Sequence, residues 1–487
     1  MPSDVAGPFT PDPSRRRFLA AAGALAAGAL LPARLRRAAA ADAPGVRAFT
    51  LTAAPARVPL LAGELDKAMA VWAYDGRVPG PEIRVRQGER VRITVTNGLR
   101  EETTVHWHGV RVPNAQDGVP HLTQEPIAPG ARFVYEFVCP DAGTFWYHPH
   151  QRSFEQVGRG LYGPLIVEER EPPAVDRDLT WVLDDWRLTP EAEIRDDFGH
   201  PHDISHEGRI GNVVTVNGRT PAPLHMRTGE RVRLRLINAA NARIFALVFH
   251  GHRPRIVALD GQPCPPHEPP GGRVVLGPAM RADLILDGTG RPGERYTVRD
   301  VAYRRQAYEL TDVVYGPTPL RNEPPPAPVE LPANPLAEPD LARAERHEIR
   351  FQGGMMGGSL HGLRMNGRPV NPMQMMHAGK AWAINGVVAT GHRLDPVLTL
   401  ARGRSYRLLL ANDTAWHHPM HLHGHSFRVL ARDGVPAPRR EWQDTVLVAP
   451  RERTEIALVA DNPGDWMFHC HILEHQAGGM MAVVRVA

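Results

Sequence analysis

A single ten-residue pattern occurs three times in this chain and constrains its fold more than any other feature. Gly88-Glu89-Arg90-Val91-Arg92-Ile93-Thr94-Val95-Thr96-Asn97 returns as Gly229-Glu230-Arg231-Val232-Arg233-Leu234-Arg235-Leu236-Ile237-Asn238 and as Gly403-Arg404-Ser405-Tyr406-Arg407-Leu408-Leu409-Leu410-Ala411-Asn412. Each copy reads as a turn followed by an alternating strand. The copies begin at residues 88, 229 and 403, which is the spacing of whole domains and not of a solenoid. The 48 prolines and 45 glycines punctuate many further short runs of Val, Ile, Leu and Arg. The 487-residue chain therefore reads as all-β, with three tandem β-sandwiches. The expected divisions are 42–170, 171–330 and 331–487, the second boundary falling in the proline-rich stretch 322–339.

Histidine pairs follow the first and third copies only. His106-Trp107-His108-Gly109 and His421-Leu422-His423-Gly424 come soon after the repeated strand, where the second copy has Val248-Phe249-His250-Gly251. A second pair closes the same two copies, His148-Pro149-His150 and His469-Cys470-His471. Residues i and i+2 of a strand share a face, so packing copy one against copy three brings all eight imidazoles together. Stability alone gives no reason to bury eight imidazoles at one interface, and metal ions do. The second copy reads as a structural spacer that shapes access, with His250 and His252 as remnants of the repeat or packed side chains.

The run from His469 to Met480 adds a thiol and a thioether. Cys470 points away from the face shared by His469 and His471, so one strand can serve two metal sites, with the cysteine backbone as a short covalent bridge. Cysteine, histidine and a weak methionine ligand form the donor set of a blue-copper electron-transfer site. His418, Cys470, His475 and Met480 are unique to copy three. Copy one has Thr103, Pro149 and Phe154 at the aligned positions, with Pro164 beside the strand that aligns with Met480, so it cannot hold a cysteine-ligated copper.

From about Tyr74 to the C-terminus, the ordered motifs HWHG, HPH, HPMHLHG and HCHILEHQAGGM resemble those of the multicopper oxidases, specifically the three-domain bacterial laccase and cuprous oxidase group. The resemblance implies cupredoxin-like Greek-key domains, four copper ions, dioxygen as acceptor, a small reducing substrate and a monomer. It assigns type 1 copper to His418, Cys470, His475 and axial Met480, and type 2 copper to His106 and His421. The type 3 pair takes His108, His148 and His471 on one ion and His150, His423 and His469 on the other. Electrons pass through Cys470 to its flanking histidines, and carboxylates relay the four protons that dioxygen reduction consumes. Asp117 resembles the acid near type 2 copper in relatives. Relatives commonly place a glutamate directly after His475, where this chain has Gln476, so proton delivery is expected to depend on Asp117, on Glu474 or on waters.

The electron donor is left between two chemistries. Six of the fourteen methionines, Met355, Met356, Met365, Met373, Met375 and Met376, fall within residues 355–376 together with His361 and His377. Thioethers prefer Cu(I), so this segment reads as a site of copper capture or cuprous delivery, flexible packing between domains being the plain alternative. Some cuprous oxidases hold the substrate ion with an Asp and a Met just ahead of the type 1 histidine, whereas this chain has Asp413-Thr414-Ala415-Trp416-His417, and Trp416 suits the wall of a pocket for phenols or aromatic amines. His200, His202 and His206 read as part of a solvated loop, and Asp444 as anchoring a turn or hydrogen-bonding near the type 1 ligands. Outside catalysis, a copper-sequestering protein or a cell-envelope scaffold of the same fold stays open.

The formal charge of +4 arises at the N-terminus. Ser14-Arg15-Arg16-Arg17-Phe18-Leu19 precedes a short apolar run, the pattern of a cleavable twin-arginine export signal over residues 1–41. Without its six arginines and two aspartates the remaining chain is near neutral. A periplasmic protein handled by the twin-arginine machinery is expected, with no nucleic-acid partner and no stable membrane insertion. Cys139 and Cys264 could pair in such a compartment, but spacing leaves this open.

Overall fold

The computed structural model describes residues 45–61, 68–356, 360–392 and 394–487; the expected export signal lies outside them. The repeated strands, Arg90–Asn97, Arg231–Asn238 and Ser405–Asn412, occupy the same place in three different sheets. Each pairs in parallel with one neighbour, Val46–Val58, Arg177–Trp186 or Glu345–Gly353, and antiparallel with another, Arg132–Val138, Arg281–Asp287 or Arg453–Val459. Each also ends in the same corner. The Asn97 amide donates to the carbonyls of Glu101 and Ile127, Asn238 to those of Arg243 and Leu276, and Asn412 to those of Trp416 and Ala449, all at 2.7–2.9 Å. Each Oδ1 accepts the N–H two residues on. Buried carbonyls of a turning loop need donors, and this is why the pattern closes on asparagine.

A second sheet packs on each of these three to give successive β-sandwiches, of four and four, six and five, and ten and five strands among the described residues. Alternate residues of the repeated strand face inward. Val91, Ile93 and Val95 meet Trp107 and Phe137; Val232, Leu234 and Leu236 meet Phe245 and Leu284; Leu408 and Leu410 meet Phe351 and Trp466. A separate cluster that includes Val71, Trp146, Tyr162, Val182, Trp186 and Ile237 joins the first two sandwiches. In the second copy the polar face is buried as well: Arg233 pairs with Glu169 and Asp283, and Arg235 with Asp178 and Asp283.

Cys139 and Cys264 sit in different cores as free, buried thiols. Burial pushes each up to about 12. In the methionine-rich segment, Pro372–His377 forms a short helix whose N-cap Asn371 and Gln374 bond reciprocally. Met375 packs inward with Leu363 and Val388, whereas Met355, Met356, Met373 and Met376 are 49–74% exposed. Among the described residues no helix is long and apolar enough to cross a membrane.

Candidate metal centre

The four histidine pairs meet at a seam between the first and third sandwiches. Within each sandwich the pairs lie on adjacent strands, His106 opposite His148 and His421 opposite His469. Across the seam, His106 stacks on His423 at 3.9 Å between ring centroids, and His108 on His421 at 3.7 Å. His148 and His471 approach to 3.3 Å between Nε2 atoms, while His150 lies with its ring centre 5.1 Å from that of His469. Donor atoms of His108, His148 and His471 fall within 4.8 Å of one another, as do those of His150, His423 and His469, and those of His106, His108 and His421. All eight histidines are buried.

The outward nitrogens are anchored. Nδ1 of His106, His148, His421 and His469 donates to the carbonyls of Asp117, Pro149, Asp444 and Cys470 at 2.8–3.0 Å. His423 Nδ1 donates to Asp117 Oδ2 at 2.9 Å. Such bonds fix ring orientation and leave the other nitrogen free for a metal. Nε2 of His106, His150 and His421 and Nδ1 of His108 and His471 are buried without a hydrogen-bond partner. Burial, with neighbouring imidazoles adding to it, holds His108, His148, His150, His423, His469 and His471 well below the usual range and thus neutral, the ligand form. The orphaned Nε2 atoms of His106, His150 and His421 and Nδ1 of His108 fit metal ions and have no other evident use.

On the opposite face of the same strand lies a second donor set. Cys470 Sγ is 3.5 Å from His418 Nδ1 and 3.6 Å from His475 Nδ1, and the two nitrogens are 3.2 Å apart. The centre of such a triangle is ~2.0 Å from each corner, the bond length of a first-row metal to nitrogen. The other nitrogens are tied outward, His418 Nε2 to Thr414 Oγ1 at 2.8 Å and His475 Nε2 to the His206 carbonyl at 2.6 Å. Met480 is buried beside them, its carbonyl accepting the Cys470 N–H at 3.1 Å. Burial raises the Cys470 thiol far above its ordinary range, so a thiolate here needs a cation against it.

Three carboxylates and one amide complete the surroundings. Asp117 is fully buried, with Oδ1 3.2 Å from His106 Nδ1 as well as Oδ2 on His423. Gly118 has φ +79°, and a side chain there would run into the Val105 carbonyl, so glycine lets the Asp117 loop close on the strand that carries His106. Gln476 lies 3.2 Å from His150 Nδ1 and accepts from Ser153 Oγ at 2.9 Å. Glu474 faces away from the seam: its oxygens accept from Asn241 Nδ2 and the Arg209 N–H at 3.0 and 3.1 Å, tying the helix Leu473–Ala477 to the second sandwich. The geometry thus gives Glu474 an anchoring role. Asp444 is displaced from its expected place, lying on the seam against His108 and His421 and not beside the cysteine site. Arg281, its partner, comes from the ligand-free second sandwich and has no local motif that would announce it.

Between the second and third sandwiches a cavity of about 430 Å³ is walled by Ala242, Ile244, Tyr303, Trp416, His417 and Ile472. His200, His202 and His206 flank or lie on the short helix Pro201–Ser205 instead of an irregular loop; the rings of His202 and His206 are stacked at 4.0 Å, 6° from parallel. His252 is a packed side chain bonded to Tyr315 Oη at 2.7 Å.

Three all-β sandwiches with a cysteine–histidine site joined to an eight-histidine seam define a copper-binding redox protein. Family models described as multicopper oxidase match residues 62–172, 177–310 and 365–487. The multicopper oxidase MmcO of Mycobacterium tuberculosis is 30% identical, with 88% of this chain and 85% of that protein covered. A copper resistance protein A homolog of Pseudomonas syringae pv. tomato is 26% identical, with 86% and 89% covered. Among solved structures, the multi-copper oxidase of Pseudomonas thermotolerans is 36% identical with a TM-score of 0.80, covering 91% of this chain and 99% of that one. The chain belongs to the multicopper oxidase family, oxidoreductases that use dioxygen, and its sandwiches are cupredoxin-like.

Proposed function

We propose that this enzyme couples one-electron oxidation of a reducing substrate to four-electron reduction of dioxygen to water, using four copper ions. His418, Cys470, His475 and Met480 would hold the type 1 ion, His106 and His421 the type 2 ion, and the two triads His108, His148, His471 and His150, His423, His469 the type 3 pair. The observation that carries this reading is the seam of eight buried histidines with unpaired inward nitrogens, backed by the 3.2–3.6 Å donor triangle behind it. Bound in these sites, copper supplies one-electron transfer at the cysteine and multi-electron dioxygen chemistry at the cluster. Cys470 is covalently continuous with His469 and His471 and gives the shortest run of bonds between the two donor sets. Asp117, whose buried Oδ1 has no hydrogen-bond partner, is the carboxyl assigned to proton relay.

For the electron donor, cuprous ion is the better supported substrate. The His475 Nε2 bond to the His206 carbonyl leads outward from the cysteine site to the His202 and His206 rings, the first of them exposed. Met355 lies beside them, its N–H donating to the Ser205 carbonyl and its own carbonyl accepting from Trp416 Nε1 at 2.9 Å. The exposed thioethers nearby and on the helix Pro372–His377 suit a soft cation. A phenol or aromatic amine is the second reading, favoured by the 430 Å³ cavity that Trp416 and Tyr303 wall. Steady-state oxygen consumption with Cu(I) and with a phenol tests this: a kcat/KM for Cu(I) no higher than for the phenol rejects the cuprous reading. Cys470→Ser should abolish both the blue absorption and turnover in a folded protein, and an active serine variant rejects the electron route. Three domains divided near residues 170 and 330, export by the twin-arginine route, a monomeric state and a role in periplasmic copper tolerance complete the proposal.

A further inference from the structure

Six of the eight seam histidines turn Nδ1 outward onto a protein partner, and His471 turns Nε2 toward His148. His108 is reversed. Its Nε2 points outward, 3.2 Å from Asp444 Oδ1 and 3.1 Å from Thr445 Oγ1, and its Nδ1 is the orphan. Neither residue flanks His108 in sequence; both come from the third sandwich, so something must hold them there.

Arg281 does so from the second sandwich. Its Nη1 and Nη2 donate to Asp444 Oδ1 and Oδ2 at 2.8 and 2.5 Å, the forked geometry that only arginine offers a carboxylate. Asp260, also from the second sandwich, braces both partners: its Oδ1 accepts the Arg281 N–H at 2.9 Å, and its Oδ2 accepts the N–H groups of Asp444 and Thr445 at 3.3 and 3.1 Å. Arg281 Nε reaches the Thr144 carbonyl of the first sandwich at 3.2 Å. Arg281, Asp260 and Asp444 are all buried. Gly109, directly after His108, has φ +83°, and a side chain there would run into Arg281 Nη2 and Asp444 Oδ2, so the ion pair packs against the turn that carries His108. Asp444 also anchors the facing ring, its carbonyl accepting from His421 Nδ1 at 2.9 Å.

We propose that Arg281, from the sandwich that contributes no ligand, is a positioning residue for the cluster: it locks Asp444 so that His108 carries its proton on Nε2 and presents Nδ1 inward. The inference rests on the seam being a copper cluster, yet its first consequence concerns the ring of His108 and is measurable without metal. A neutral imidazole carries one proton, so an acceptor fixed at Nε2 decides which nitrogen is left as a ligand. Lysine at 281 cannot span both carboxylate oxygens, and asparagine at 444 offers Arg281 only one.

The test uses metal-free protein labelled with ¹⁵N in histidine, the His108 signals being assigned by their loss in His108→Gln. The parent protein should show His108 protonated on Nε2 alone. Arg281→Lys and Asp444→Asn should each add a population protonated on Nδ1 and weaken copper binding by the cluster by about 10–100-fold, with circular dichroism and the blue absorption of the cysteine site retained. Thr445→Val, which keeps the Arg281–Asp444 pair, should leave the His108 proton on Nε2. Two charge variants are specified because either alone can fail to fold when a buried partner is removed. An unchanged His108 proton in the folded charge variants, unchanged cluster copper, or a shift seen only in Thr445→Val overturns the proposal. If the parent takes up no copper while the His108 proton still responds to Arg281→Lys, the functional reading fails and the positioning role stands.

Discussion

Asp117→Asn is the most discriminating single change in this protein, because the seam leaves protons so few places to sit. Four acidic or amide side chains touch the seam histidines or flank a ligand in sequence; Asp260, which burial pushes up to about 7, has its oxygens taken by the N–H groups of Arg281, Asp444 and Thr445 and bonds to none of the histidines. Burial pushes the Asp444 carboxyl up, but the Arg281 guanidinium outweighs it and holds the group well below the usual carboxylate range, so it cannot carry a proton near neutrality. Glu474 has both oxygens engaged by Asn241 and Arg209. Gln476, in contact with His150, is an amide and cannot act as an acid. Asp117 is left, with one oxygen on His423 and the other 3.2 Å from His106. Asparagine is nearly isosteric, its oxygen can still accept from His423, and the backbone carbonyl bond to His106 is unaffected. Ligand orientation should therefore survive while the acid is lost. A positioned general acid contributes about 10²–10⁴-fold, or about 2.7–5.4 kcal/mol of barrier, and that is the fall expected in kcat at saturating donor and oxygen. The assay is oxygen consumption normalised to copper content, repeated in D₂O, where the variant should show the larger isotope effect. Gln476→Glu in the same background places a carboxyl against His150 Nδ1, with Ser153 Oγ to satisfy its second oxygen, and should restore at least about tenfold. A variant within about threefold of the parent at equal copper content, or no gain from Gln476→Glu, refutes this account of proton delivery.

Further outcomes follow from other parts of the structure. Asn412→Ala strips donors from the buried carbonyls of Trp416 and Ala449 and should lower stability to urea by about 2–4 kcal/mol; a loss under about 0.5 kcal/mol would show the corner to be dispensable. With thiols held near 12 by burial, Cys139 and Cys264 should resist alkylation at pH 8 in the folded protein, and three thiols should react after unfolding without reductant. Finding only one reactive thiol would establish a disulfide instead. Replacing the exposed Met355, Met356, Met373 and Met376 with Leu should raise KM for Cu(I) severalfold and leave phenol oxidation unchanged; an equal effect on both substrates rejects a cuprous role.

The parts of this molecule that local chain chemistry dictates were legible in its sequence. The ten-residue pattern was readable as a strand because its alternation is carried within those ten residues, whereas the asparagine corner, which reaches carbonyls 30 to 38 residues away, was not. The histidine pairs and Cys470 were readable because i, i+2 spacing on a strand decides which side chains share a face. What lay hidden was contributed across long sequence separations. His206 reaches His475 through a backbone carbonyl, which no side-chain pattern reports. Glu474 sits one residue from a metal-type ligand, yet on the first turn of a short helix its side chain swings to the opposite wall. Arg281 and Asp260 belong to the copy that looked inert.

That second copy shows why loss of ligands is not loss of function. On a two-faced strand the polar positions of Arg231–Asn238 would face water, as in a sheet with one solvated side. Here the first sandwich covers that face, and burying arginines there is tolerable only with acids to match. Glu169, Asp178 and Asp283 supply them, and Asp283 also accepts from Thr144 Oγ1 of the first sandwich at 2.6 Å. Such pairs add little net stability over apolar residues of equal volume, but their hydrogen bonds are directional, and a slip of one sandwich against another breaks several together. Apolar contacts such as those around Trp146 and Trp186 tolerate small slips. A seam whose rings approach to 3.7–3.9 Å from separate sandwiches does not, so the ionic contacts of the ligand-free copy are the ones suited to set its register.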